Sequence, residues 1–88
     1  MNNATGVVFG RNPNQTHHTF RYTDALGLDR SNVMDAIRRD LQPHLPLPVP
    51  PPNDAPFIGT VTVDGMELRY HAYPMEEGLV NVGRITGP

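Results

Sequence analysis

Cysteine is absent from the 88 residues, which excludes a disulfide framework, a thiolate zinc site and a thiol nucleophile. The fold must rest on packing, within the chain or against a partner, and the composition suits a reducing cytosol. Lysine is absent as well: all seven cations are arginine, at Arg11, Arg21, Arg30, Arg38, Arg39, Arg69 and Arg84. Guanidinium binds phosphate in a bidentate way that ammonium cannot, but a GC-rich genome also replaces lysine by arginine, so composition alone does not decide what the arginines do. A formal net charge of -2 argues against a broad polyanion-binding surface. Apolar runs are only a few residues long, and Met1-Asn2-Asn3-Ala4 lacks the basic start and apolar stretch of a signal peptide. Neither a membrane span nor a targeting segment is expected.

Chemical signatures are equally sparse. There is no Gly-rich phosphate loop and no His-Glu-x-x-His, and the single serine, Ser31, reads as a helix-start residue rather than a nucleophile. His17 and His18 are adjacent and cannot point the same way from a helix, which removes a paired-histidine metal site. No metal and no cofactor are therefore expected.

What is present divides the chain into a helical half and a β half. A chain this short buries only about 60% of the surface its unfolded form exposes, so one domain with a thin core is expected. Residues 1–15, with Val7-Val8-Phe9 before a turn-prone Gly10-Arg11-Asn12-Pro13-Asn14, read as a linker or an edge strand. Thr16 offers an N-cap for a short helix through His18, Phe20, Arg21 and Ala25 that Gly27 ends. Asp29 or Ser31 caps a second helix, in which Val33, Met34, Ile37 and Leu41 form one apolar stripe while Asp35, Arg38 and Arg39 face water. Seven of the ten prolines then fall in 43–56, a connector that can neither continue a helix nor enter a sheet and is expected to be an extended spacer.

Beyond Pro56 the period becomes two. Strands over 57–63 and 66–73 flank Asp64-Gly65, the signature of a two-residue type I′ hairpin turn. That turn sets the register: Val63 pairs with Met66, Val61 with Leu68 and Gly59 with Tyr70 on an apolar face, leaving Thr60, Thr62, Glu67, Arg69 and His71 on the other. Pro74 closes the second strand, and 79–86 makes a third. The expected fold class is α+β: two short N-terminal helices packed on a three- to four-stranded antiparallel meander, with Phe20, Leu26, Val33, Ile37 and Leu41 buried against Val61, Val63, Leu68 and Tyr70.

The remaining polar residues form an acid-base and guanidinium set: His17, His18 and Arg21 on the first helix, Glu67, Arg69 and His71 on the polar sheet face, and Arg84 on the last strand. Metal-independent RNA cleavage uses a base for the 2′-hydroxyl, an acid for the departing 5′-oxygen and a cation for the phosphorane charge. Histidine and arginine meet those needs. A ladder of Thr, Glu, Arg and His is also what an ordinary solvated sheet face looks like. Tyr22 and Tyr73 are the available base-stacking platforms, with Phe20 assigned to the core.

His18-Thr19-Phe20-Arg21-Tyr22, then Gly27-Leu28-Asp29 with an amphipathic helix, a hairpin and the closing Gly78-Leu79-Val80-Asn81-Val82-Gly83-Arg84-Ile85-Thr86 resemble carboxy-terminal toxin domains of bacterial polymorphic and contact-dependent inhibition systems, over 16–88. Many such domains are similar in fold to barnase, colicin-type ribonucleases and RelE-type toxins. The resemblance implies a ribonuclease delivered as part of a larger effector and acting in the target-cell cytoplasm, with residues 2–6 as linker. It implies roles for His18 and Arg21 in the first motif and for Arg84 and Thr86 in the last. A second histidine is expected where Tyr22 stands, and His17 or His71 is the available substitute. The expected site is thus His18 or His17 with His71 as acid and base, Arg21 and Arg84 on phosphate, Glu67 as an auxiliary, and Arg69, Tyr73, Tyr22 and Thr86 on the substrate. RNA and a cognate acidic immunity protein are the implied partners. The alternative is a non-enzymatic interaction or immunity-type module that binds a protein through its proline run and edge strand. Deamination would need a zinc site for which the thiolates are missing.

Overall fold

Why each half folds as it does is visible in the computed structural model, which describes residues 6–88; the linker expected over residues 2–6 lies, apart from Gly6, outside the described residues. The elements are β1 (Val7–Val8), α1 (Pro13–Ala25), α2 (Arg30–Leu41), β2 (Phe57–Val63), β3 (Met66–Pro74) and β4 (Val80–Thr86), with short 3₁₀ turns between them. The fold is α+β, two helices against one face of a four-stranded sheet of order β1-β4-β3-β2. β2, β3 and β4 are consecutive and antiparallel, as the alternating pattern requires. The sheet as a whole is not a simple antiparallel meander, because β1 joins it parallel to β4, with Val7 opposite Val80 and Val8 opposite Asn81.

α1 starts earlier than the Thr16 cap would place it. Asn12 is the N-cap, its side chain accepting from Gln15 N–H at 2.9 Å. Pro13 then occupies the first turn, where a missing N–H costs nothing. Thr16 is occupied elsewhere, donating its hydroxyl to the Phe9 carbonyl at 2.8 Å. The helix ends as expected at Gly27, whose φ of 76° allows its N–H to reach Asp24 and that of Leu28 to reach Thr23. For α2 the cap is Asp29, which accepts from Asn32 N–H.

The core contains Phe20, Val33, Ile37 and Leu41 from the helices and Val63, Leu68, Tyr70, Val80, Val82 and Ile85 from the sheet. Leu26, expected there, is 39% exposed, because it is the α1 cap residue and lies past the buried stripe of Thr19, Phe20 and Thr23. Met34 and Val61 pack only partly against the core. The connector is more than a spacer: Leu47 is buried in the core and Leu45 packs against it. Alternate positions of the proline run thus anchor it to the domain.

The hairpin register is as the turn dictates, with Val63 opposite Met66, Val61 opposite Leu68 and Gly59 opposite Tyr70. Asp64 and Gly65 both take the positive φ a type I′ turn needs. Pro74 does not stop β3 but ends it, paired with Val80. Between β3 and β4 the register shifts: His71 faces Arg84, but Ala72 faces Val82. Gly83 is the extra residue of this bulge. Without it, strict alternation would put Arg84 on the same face as Val80 and Val82, inside the core. With it, Val80, Val82 and Ile85 are buried and Arg84 is exposed on the open face.

Candidate functional site

The open face of the sheet is built from direct cross-strand partners. Arg69 lies opposite Thr86 and His71 opposite Arg84, so these four side chains stand on one side of β3 and β4. Tyr73 continues the row opposite Asn81. On β2 the same face carries Thr60 opposite Arg69 and Thr62 opposite Glu67.

α1 brings the second half of the site. Its buried edge is held to the bulge by Thr19, whose hydroxyl lies 2.9 Å from the Gln15 carbonyl and 3.2 Å from the Gly83 carbonyl. With Thr19 fixed there, helical spacing places His18, Arg21 and Tyr22 along the edge of β4. A groove of about 510 Å³ runs between the two elements, lined by His18, Arg21, Tyr22 and Ala25 on one side and Arg84, Ile85 and Thr86 on the other. The Tyr22 hydroxyl closes one end of it over Gly87, where no side chain intervenes. His18 also lines a second groove of about 430 Å³, with Tyr73, Asn81 and Gly83, so it stands at the junction of the two.

Five of the expected residues, His18, Arg21, Tyr22, Arg84 and Thr86, therefore meet in one groove, and His71 adjoins it across the ladder from Arg84. His71 is partly buried and flanked by cations. Desolvation first, then the positive charges of Arg84 and Arg69, hold its imidazole below the ordinary 6.5. Both causes favour the neutral imidazole, with its free electron pair.

Two expected residues are elsewhere. His17 is exposed and lines neither groove. Glu67 is exposed near the hairpin end, on the same face as Arg69 and His71 but opposite Thr62 and in neither groove. Residues the sequence did not single out are Thr19, which attaches α1 to the bulge, and Gln15 and Asn81, which line the second groove. The one available signal was the glycine inside an otherwise alternating strand at Gly83, a common mark of a bulge.

Arg30 and Asp24 form the one ion pair among the described residues, at 2.7 Å, tying the end of α1 to the start of α2 on the solvent side. No three His, Asp or Glu side chains among the described residues are grouped so as to hold a metal ion, and no described helix is long and apolar enough to cross a membrane. Comparison with protein-family models, with curated proteins and with solved structures finds no match.

Proposed function

We propose that the chain is a metal-independent ribonuclease, a toxin domain of the kind its sequence resembles. The observation that carries this is the groove between α1 and β4, lined by an imidazole from the helix and a guanidinium from the strand, with a second imidazole, His71, directly across the ladder from Arg84. Neutral His71 takes the proton from a ribose 2′-hydroxyl, whose oxygen attacks the adjacent phosphorus. Arg84 and Arg21 hold the non-bridging oxygens as charge builds on the phosphorane. His18 is the group that gives a proton to the departing 5′-oxygen. The products are a 2′,3′-cyclic phosphate and a 5′-hydroxyl. Thr86 and Tyr22 supply hydroxyls at the groove walls, and Arg69 extends the positive field along β3.

The test is incubation of the protein with transfer RNA or total RNA in EDTA, with end-group analysis of the fragments. Cleavage leaving 2′,3′-cyclic phosphate is expected. RNA left intact at stoichiometric protein, or cut only after divalent metal is added, refutes the proposal.

A second function is favoured by a different observation. An apolar groove of about 310 Å³, lined by Leu47, Pro48, Pro51, Ala55, Phe57 and Ile58, lies beside the unpaired outer edge of β2. Ile58 is 53% exposed there. These suit a non-enzymatic module that docks a peptide on the sheet edge. If Ile58→Asp abolishes the biological effect while His18→Ala with His71→Ala leaves it intact, that function replaces the first.

A further inference from the structure

The second groove has the chemistry of a base-recognition subsite. Asn81 on β4 and Gln15 on α1 both line it, and both side-chain carboxamides have their orientation set by the backbone. Gly10 N–H donates to Asn81 Oδ1 at 3.0 Å, and Arg11 N–H donates to Gln15 Oε1 at 2.9 Å. A backbone N–H can only donate, so the atom facing it must be the carbonyl oxygen, and each NH₂ group is left to face other partners. Two consecutive amides of the β1–α1 turn thereby convert two ambivalent side chains into donors.

Gly10 is what allows this turn. Its φ of 88° is one that residues with a side chain rarely adopt, and a Cβ on it would run into the Thr16 backbone. Gly83, the bulge residue, also lines the groove. The point a Cβ would take there lies 3.5 Å from Asn81 Nδ2 and 3.7 Å from Tyr73 Cε1. An aromatic ring, 42% exposed, and an oriented amide nitrogen thus flank the same bare glycine. Among the described residues that line this groove there is no carboxylate.

We propose that this groove binds a keto base, guanine or uracil, next to the phosphate that is cut. This rests on the ribonuclease function proposed above, since His18 lines both grooves and joins the two positions. The ring of Tyr73 offers a stacking face, which any base can use. Selection comes from the carboxamides. The Hoogsteen-side edge of guanine presents only the acceptors N7 and O6, and that of uracil the acceptor O4, whereas adenine and cytosine present an amino donor there. A wall of NH₂ groups pairs with the first two and repels the amino group of the others.

The experiment maps cleavage sites of the wild-type chain and of Asn81→Asp on a random-sequence RNA. In parallel, the side-chain NH₂ resonances of Asn81 and Gln15 are followed by NMR while uridine 3′-monophosphate, guanosine 3′-monophosphate or adenosine 3′-monophosphate is added. The wild-type chain is expected to prefer guanine or uracil at one position flanking the cut by about tenfold, the discrimination that a well-placed hydrogen bond to a base edge supplies. The carboxamide signals are expected to shift with the two keto nucleotides and not with adenosine 3′-monophosphate. Asn81→Asp still accepts from Gly10 N–H but offers the groove an acceptor, so preference moves toward adenine and cytosine with overall folding unchanged. Cleavage with the same base distribution in both proteins and no shift of the amides overturns the subsite and leaves the ribonuclease standing. Keto-selective amide shifts in a chain that cuts no RNA keep the subsite and remove the ribonuclease.

Discussion

The Tyr70 phenol donates a 2.6 Å hydrogen bond to the Asp40 carboxylate, joining the middle of β3 to the end of α2 across the core. The ring itself is fully buried and lies over Gly59, its cross-strand partner, where a Cβ would meet it. Burial first, then the bond and the negative charge of Asp40, hold the phenol protonated far above the ordinary 10.0. Tyr70→Phe should cost about 1–3 kcal/mol, because it leaves a carboxylate without its donor. Chemical denaturation measures this. A phenol raised in the folded state contributes stability below pH 10 that is lost as alkali forces ionisation. Alkaline unfolding of the wild-type chain should therefore remove a stability difference from the Phe variant that is present at neutral pH.

His71 gives the opposite sign. Its folded-state value lies below the ordinary 6.5, so the unfolded chain binds the proton first as pH falls. Stability contributed by His71 is present above 6.5 and declines as the pH drops toward the lowered value. If His71 is the base, the acid limb of the cleavage rate lies below 6.5. Arg69→Gln should move that limb upward, and only in part, since desolvation is the larger cause. An acid limb that is unmoved by Arg69→Gln and insensitive to His71→Asn would assign the base elsewhere.

The two imidazoles of α1 should differ sharply. His18→Ala is expected to lower cleavage by about 10²–10⁴-fold, the range for loss of a proton-transferring group. His17→Ala should leave the rate within a few-fold, since His17 is outside the groove. Rates on one RNA substrate at fixed pH compare them directly, and a larger loss at His17 would reverse the assignment.

The faces of β3 separate stability from function. Leu68 is fully buried, and Leu68→Ala should destabilise by about 2–4 kcal/mol, a large part of what so small a domain possesses. Its neighbour Arg69 is exposed on the open face, and Arg69→Ala should leave the denaturation midpoint nearly unchanged. Equal losses at the two positions would contradict the alternation.

On the ribonuclease function proposed above, a producing cell requires an inhibitor, and the arginines beside the groove set the chemistry expected of it. Arg21 and Arg84 line the groove and Arg69 stands on β3 opposite Thr86, on a chain whose net charge is -2, so the inhibitor should present Asp and Glu where RNA phosphates bind. Expression of residues 1–88 alone is expected to arrest bacterial growth, and co-expression of such an acidic partner to relieve it. Relief that survives removal of the partner's acidic patch would refute charge mimicry.

What the sequence determined by itself is what depends on near neighbours. The apolar stripe of Val33, Ile37 and Leu41 made α2, with its cap at Asp29, one of the two neighbouring residues, Asp29 and Ser31, that the sequence offered. Asp64-Gly65 permitted one tight turn, and that turn set every pair from Val63 with Met66 to Phe57 with Ala72, so the faces of β2 and β3 were legible before any coordinates. Tertiary structure decided the rest, because it depends on partners distant in the chain. Val7–Val8 became a strand only by pairing in parallel with β4, and Thr16 gave up the cap position to bond Phe9. The bulge at Gly83 turned Arg84 out to His71, and the carbonyl of that same glycine took the Thr19 hydroxyl that sets His18 beside it. The candidate site exists because one extra residue in β4 shifts the parity of a strand, a pairing between backbones that no local periodicity encodes.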